Sequence, residues 1–370
     1  MMPKLCFILP RYVSNDTTHF SHVHDLLTEI SKSFNLFLII ENGSKPPQSL
    51  GYSMVYVSRM PSLLKFVELK MAIIYARILG YSDFYVHYSF RSAFLGSLVT
   101  RSFGGRTFYW NCGEPWKYKR NFLRERFERL VYKIIDFQVT GAPSLADQYS
   151  KYYGTSRGRI KIMPNWIDLK RFNLPKNDTA ICEALKIPTG RKIALFIHHL
   201  SKRKGSDMIL PVARKVTELY PEVYFIVVGD GPDYARLLGA LKNDTSLSRF
   251  MRLEGEVPNS LIPKYLSCAD VFFMPSEEEG FPRVLLESMA MGVPFVASDV
   301  GAVRDITPVL MSQYLIHTGD VRSFTEKLCE LIAKNSDERK IISSGLKKEA
   351  AKYDLVIVAK RFREMITKTS

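Results

Sequence analysis

Short apolar runs alternate with longer helix-period segments along all 370 residues, and the alternation starts afresh near residue 190. Such a pattern builds parallel sheets, because neighbouring parallel strands need a connection long enough to return across the sheet face, and that connection is usually a helix. In the first half, strands are expected at 5–9, 36–40, 54–57, 84–87, 107–110, 137–140 and 160–163. In the second they are expected at 192–197, 223–228, 251–253, 271–274, 295–297 and 314–316. A chain this long seldom has one core, so the restart marks two α/β domains, at 1–175 and 190–350. Between them lies a turn-rich segment, 174–191, that contains Pro175, Asn177, Asp178, Pro188 and Gly190 and is the expected linker. Residues 337–368 read as charged helices.

The net charge of +15 is unevenly spread. Residues 1–175 hold 24 Lys plus Arg against 12 Asp plus Glu, or +12, and residues 176–370 hold 28 against 25, or +3. The densest basic stretch is 117–133, where Leu123, Phe127, Leu130 and Val131 recur at helical spacing among Arg120, Arg124, Arg126 and Arg129. A basic amphipathic helix can lie on an anionic membrane surface, gaining about 1 kcal/mol per cation. The same pattern suits a packed helix with a charged outer face, aided by Glu125 and Arg129 one turn apart. No nucleic-acid recognition motif accompanies the charge, so no nucleic-acid partner is expected. Five cysteines, Cys6, Cys112, Cys182, Cys268 and Cys329, are odd in number and far apart, which implies free thiols in a reducing cytoplasm and no metal cluster. No apolar run reaches eighteen residues, and residues 1–4 lead directly into the first strand, so neither a membrane span nor a signal peptide is expected.

One acid stands out in the second half. Glu287 falls on a nearly all-apolar helix between Pro282, suited to a first helical position, and the closing pair Gly292 and Pro294. Burying an unpaired carboxylate costs several kcal/mol or more, so it must meet a cation or accept hydrogen bonds from ligand hydroxyls. Eight positions earlier, Glu279 lies in the loop before that helix, whose free N–H groups and positive dipole end favour an anion such as phosphate. Acids for sugar hydroxyls beside a helix end for phosphate describe a nucleotide-sugar site. An internal Arg partner for Glu287 and a solvated turn at 277–279 are the plainer alternative.

The segment Glu279-Gly280-Phe281-Pro282 through Glu287, followed by Met291-Gly292-Val293-Pro294, resembles the Glu-x7-Glu signature of the family 4 glycosyltransferases. Pro164-Asn165-Trp166-Ile167-Asp168 is similar to that family's crossover motif, with Trp where Gly is usual, and Lys204-Gly205 to its phosphate-binding Lys-Gly. Val227-Val228-Gly229-Asp230-Gly231-Pro232 is similar to its second-domain glycine turn, where the glycines need serve only to end a strand. The resemblance covers roughly residues 155–310.

Three departures stand beside it. His198-His199-Leu200 occupies the place of Gly-Arg-Leu, putting His199 where a forked, permanent cation is usual, and Arg203 is the candidate substitute. Cys112 falls where the family has a His that contacts the transferred sugar, leaving His87 as the candidate catalytic replacement, with a packed core residue as the plainer alternative. The first loop, 10–19, lacks the usual glycine pair, so Asn15 and Thr17, with Cys112, are the candidate acceptor-side residues.

The resemblance implies a GT-B fold, with two Rossmann-like domains facing a central cleft and a final helix, 351–370, packing back on the first domain. It also implies metal-independent, retaining transfer of a hexosyl unit from a UDP- or GDP-linked sugar, with no cofactor. Glu287 would hold the ribose. Glu279 with Gly280, Phe281 and Pro282 would hold the sugar, while Lys204 and Arg203 neutralise the diphosphate. The basic first half suits a glycan or lipid-linked acceptor at the cytoplasmic face of a membrane, as in cell-envelope polysaccharide, glycolipid or glycoprotein glycan assembly. An inactive scaffold and a sugar-nucleotide epimerase of the same fold are the rival readings.

Overall fold

A computed structural model of the protein describes residues 2–13 and 21–369. The chain divides into two units, Met1–Asn165 with Leu355–Ser370, and Trp166–Asp354.

The first unit runs β1 (Lys4–Leu9), α1 (Ser21–Ser31), β2 (Asn35–Ile40), β3 (Met54–Val57), α2 (Ser62–Ile78), β4 (Asp83–His87) and α3 (Phe90–Phe103). It continues through β5 (Arg106–Trp110), α4 (Phe122–Ile134), β6 (Phe137–Thr140), α5 (Pro143–Tyr153) and β7 (Ile160–Ile162). The strands form one parallel sheet in the order β3-β2-β1-β4-β5-β6-β7. β1, β2 and β4 are buried along nearly their whole length, which is why they read as unbroken apolar runs rather than alternating ones. Leu69, Ala72, Ile73 and Ala76 of α2 close the core against Ile8, Ile39 and Val86 of the sheet.

The second unit contains α6 (Thr179–Ala184), β8 (Lys192–Ile197), α7 (Ser206–Leu219), β9 (Val223–Val228), α8 (Tyr234–Asn243), β10 (Met251–Gly255) and α9 (Ile262–Cys268). After these come β11 (Val271–Met274), α10 (Arg283–Ala290), β12 (Phe295–Ser298), α11 (Val303–Ile306), β13 (Leu315–Ile316), α12 (Val321–Ala333) and α13 (Ser336–Ala350). Its sheet is also parallel, in the order β10-β9-β8-β11-β12-β13. All thirteen expected strands are present, their ends moved by at most two residues. The last helix, α14 (Leu355–Lys368), belongs to the first unit and lies against α1. It sends Phe362 among Phe7, Phe34 and Tyr85, with ring centroids 6.4, 5.9 and 4.8 Å away.

Two expectations are corrected. Residues 174–191 are not a linker, because the units part at Asn165 and Trp166 and this segment is fastened into the second unit. The Asn177 N–H donates to the Ser267 carbonyl at 2.9 Å, and Lys176 Nζ reaches the Leu266 carbonyl at 3.4 Å. The cysteines are not all free, since Cys182 and Cys268 form a disulfide between α6 and α9 with Cα atoms 5.9 Å apart. Folding removes the sequence distance of 86 residues that made them look unrelated. The arginines of 117–133 divide, Arg120 being closed in while Arg124, Arg126 and Arg129 stay exposed. Buried Glu128 takes Arg120 and Arg124, Arg120 also reaches the Tyr153 hydroxyl at 3.0 Å, and Arg129 pairs with Glu125 at 2.8 Å. Among the described residues no helix is long and apolar enough to cross a membrane.

Because Phe362 is fully buried between aromatic rings of β1 and β4, Phe362→Ala should cost the first unit roughly 3–5 kcal/mol. Urea unfolding followed by tryptophan fluorescence measures this, and a loss below about 1 kcal/mol would show that α14 is not integral to that core.

Candidate functional site

Strand order in the second sheet reverses between β8 and β11, so the chain leaves their carboxyl ends toward opposite faces and opens a crevice there, the usual ligand position in such sheets. Loops 198–205 and 275–282 frame it. They are joined directly, the Glu277 N–H donating to the Arg203 carbonyl at 2.9 Å. Gly205 has φ +76°, and a Cβ there would stand 2.1 Å from the Pro275 carbonyl oxygen, so no other residue lets the loops approach this closely. Gly301, after β12, does the same on the far side, where a Cβ would lie 1.7 Å from the Glu279 carbonyl oxygen.

Glu279 is 5% exposed and is the hub of this arrangement. Lys204 Nζ donates to its Oε1 at 2.8 Å, and His198 Nε2 meets the same oxygen at 2.9 Å. The His199 N–H donates to His198 Nδ1 at 2.9 Å, so Nδ1 is the acceptor and the proton on Nε2 goes to Glu279. Burial pushes the Glu279 carboxyl up, but His198 and Lys204 outweigh it and hold the group at about 2. Burial likewise lowers His198, only partly offset by Glu279, which keeps the ring neutral over a wider range. Lys204 also reaches the Glu278 carbonyl at 3.1 Å. Arg203 is exposed, 3.7 Å from Glu278, and His199 is exposed.

Glu287 sits on α10 at 7% exposure. Arg283, one turn before it, approaches to 3.7 Å without closing on it. Burial therefore prevails over Arg283 and Arg171, and the Glu287 carboxyl is raised. Pro282 is the cap of α10 rather than its first residue, and no side chain caps that helix start. Gly205 opens α7 equally without a side-chain cap. Two helix starts thus carry backbone N–H groups and positive dipole ends with no capping side chain, an arrangement that suits a phosphate-bearing ligand. Phe281 turns inward against Tyr353, ring centroids 5.8 Å apart.

The structure thus brings together Lys204, Arg203, His199, Glu279, Gly280, Phe281 and Pro282 on two joined loops, while Glu287 lies further along α10, near Arg283 and Arg171. His198 was missed by the sequence reading, because a residue standing where Gly is usual carries no motif of its own; its signal was the His-His pair at a strand end. Ser276 and Ser298, buried at the ends of β11 and β12, have side-chain hydroxyls without a hydrogen-bond partner and were equally silent.

His87 and Cys112 belong to the first unit and are corrected. His87 is 1% exposed, stacks on Trp110 at 4.3 Å and is lowered to about 3 by burial, so its ring is neutral and packed in the core. Cys112 is 2% exposed, and burial pushes its thiol up. The exposed neighbour of this stack is Tyr88, whose backbone is left-handed at φ +57°. Asn15 and Thr17 lie outside the described residues. Among the described residues, no group of three or more His, Cys, Asp or Glu side chains could hold a metal ion.

Residues 177–348 match the family profile described as glycosyl transferases group 1. The chain is 28% identical over 248 residues to a D-inositol 3-phosphate glycosyltransferase of Corynebacterium urealyticum, covering 64% of this chain and 58% of the relative. It is 24% identical over 242 residues to a 2-deoxystreptamine N-acetyl-D-glucosaminyltransferase of Streptomyces fradiae, covering 62% and 57%. The match thus spans a little over half the length of these curated relatives. Anabaena Alr3699/HepE in complex with UDP has the same fold, with a TM-score of 0.81 at 16% identity over 99% of this chain and 100% of that one.

The Glu279 cluster makes stability depend on pH in a defined direction. With its folded value depressed to about 2, the cluster stabilises fully above the ordinary carboxylate range, and that stability is lost as pH falls toward 2. Glu279→Gln should therefore cost about 2 kcal/mol or more at pH 7. The gap from wild type should narrow by pH 3 in urea titrations, and an unchanged gap would show that this carboxylate is not held ionised.

Proposed function

We propose, for a chain that belongs to the family 4 glycosyltransferases and carries their GT-B fold, that the second unit binds a nucleoside diphosphate sugar and transfers its hexosyl group, with retention and without metal, to a glycan or lipid-linked acceptor. The observation that carries this reading is the meeting of Glu279, Lys204 and His198 on the loops that lead into two helix starts without capping side chains, the second of these helices carrying the buried Glu287. Uridine is the first base to test, since the Anabaena protein of the same fold binds UDP.

In this reading the diphosphate lies across the starts of α7 and α10, where backbone N–H groups and Lys204 meet the charge that develops as the glycosidic bond breaks. Stabilising that leaving group is the main catalytic contribution, because the groups are already oriented when the charge appears. Lys204 is fixed by Glu279 and Glu278, so no reorganisation is needed. Glu287, raised by burial and only loosely approached by Arg283, accepts or donates to the ribose hydroxyls. Glu279 shares the sugar hydroxyls with the Gly280 and Phe281 backbone, His198 holding its carboxylate in place. Arg203 and His199 stand at the exposed rim, where they meet the outer phosphate oxygens. The acceptor belongs to cell-envelope polysaccharide, glycolipid or glycoprotein glycan assembly at the cytoplasmic membrane face, and the acceptor hydroxyl passes its proton to the donor phosphate.

The test is thermal stabilisation of the protein by UDP- and GDP-sugars, then nucleotide release on adding acceptor, with the anomer of the product read by NMR and EDTA present throughout. Glu287→Ala should weaken donor binding about tenfold or more, the value of a hydrogen bond to a charged group. Lys204→Ala should lower kcat by roughly 10²–10³ with a smaller change in KM. If no nucleotide sugar stabilises the protein, or both variants behave as wild type, the reading fails. Interconversion of free donor would mark an epimerase, and binding without turnover a scaffold.

A further inference from the structure

The second unit has a cavity of about 510 Å³ at the amino ends of β11 and β12, within the size range that holds small metabolites. Asp270 leads into β11 there, Gly292 and Pro294 lead into β12, and α13 supplies most of the remaining lining. The crevice of Glu279 opens at the carboxyl end of β11. From Asp270 to Pro275 is five residue steps, so the two places lie roughly 16 Å apart along the strand.

Four cations and one acid line the cavity, and two of the cations are already committed. Arg339 donates to the Leu331, Ile332 and Lys334 carbonyls at 3.0, 2.8 and 3.0 Å, which closes the end of α12, and it stands 3.5 Å from Asp270. Lys340 pairs with Asp337 at 3.2 Å. The acid is engaged as well, the second oxygen of Asp270 accepting from the Ile193 N–H at 2.9 Å.

Lys176 and Lys347 remain. The Lys176 ammonium makes one long hydrogen bond, to the Leu266 carbonyl at 3.4 Å, and Lys347 has neither an acid nor a hydrogen-bond partner among the described residues. Desolvation lowers Lys176 to about 8; Asp270 opposes this, while Arg339 and Lys347 add repulsion, so the cations crowd one another. Gly292 makes the crowding possible. At its φ of +66° a Cβ would stand 2.0 Å from Ser343 Oγ and 2.9 Å from Lys347 Cε, so glycine lets α13 lay these two side chains over the loop. Ser343 and Ser344 add hydroxyls to the same wall. Two ammonium groups beside hydroxyls suit a phosphate, whose oxygens accept from every donor present and whose double charge matches the surplus.

We propose that this cavity is a second ligand site, which takes the phosphate group of a small solute between Lys176 and Lys347. It is separate from the donor crevice and does not rest on the transfer reading.

The test is calorimetric titration of the purified full chain, with and without UDP, using inorganic phosphate, glucose 6-phosphate and glucose. The variants are Lys176→Gln, Lys347→Gln and, as a control, Lys348→Gln, which shares the last turn of α13 with Lys347 but does not line the cavity. Lys347 and Lys348 are exposed, so their replacement leaves the core untouched, and thermal melts report the fold of all three. Wild type should bind a phosphate probe equally with and without UDP and at least tenfold more tightly than glucose. Lys176→Gln and Lys347→Gln should each weaken that binding about tenfold, the value of a hydrogen bond to a charged group, while Lys348→Gln leaves it unchanged. Glucose 6-phosphate binding tenfold or more above inorganic phosphate assigns an ester, and a smaller ratio assigns the free anion; both support the site. Binding of neither phosphate probe, binding that UDP abolishes, equal binding of glucose, or binding that Lys347→Gln leaves unchanged overturns the proposal. Stabilisation by UDP is read separately in every variant, so failure of this site and failure of the donor site are told apart.

Discussion

The clamp on Glu279 is the interaction on which the second unit's crevice depends. Two loops leave adjacent strands, and the carboxylate of one is held by the lysine and histidine of the other. Burial alone would favour the neutral acid, yet two donors on a single oxygen reverse the balance and keep the charge. Glu287, eight positions later, has the same side chain and similar burial, but Arg283 at 3.7 Å and Arg171 do not outweigh its burial, and there burial prevails. One short segment therefore carries two carboxyls tuned in opposite directions by geometry alone, the arrangement from which distinct roles in a single site usually arise.

Strands were legible because parallel sheets bury both faces of their inner members, leaving apolar runs that no surface element imitates. The site was legible in part for a related reason: an acid amid apolar neighbours, such as Glu287, and a Lys-Gly pair at a strand end are both locally improbable. What stayed hidden required a partner distant in sequence. Glu128 looked like one more charge on a helix surface until Arg120 and Tyr153 closed over it. Cys182 and Cys268 lay in unrelated runs until α6 packed on α9. The burial of His87 and Cys112 was hidden in the same way, since the depth at which a strand end lies cannot be read along one chain. His198 was overlooked because its importance comes from the carboxylate it faces.

Charge is sorted by unit, and the sorting is nearly complete. The second unit, with equal numbers of acids and bases to within one, has its electrostatics concentrated in specific pairs, so its potential is local. The first has an unbalanced surplus that pairing does not consume, which gives it a long-range field able to gather anionic partners before contact. These are different uses of the same kinds of residue.

The course of the chain through the two units has a consequence for its birth. Residues 166–354 are consecutive, whereas the first unit is interrupted and recovers α14 only afterwards. On a ribosome the later unit is delivered whole while the earlier one still lacks the helix that seats Phe362 between Phe7 and Phe34. Nascent chains would then mature out of chain order, carrying an uncovered aromatic pocket through most of translation, and chaperones would find their substrate there.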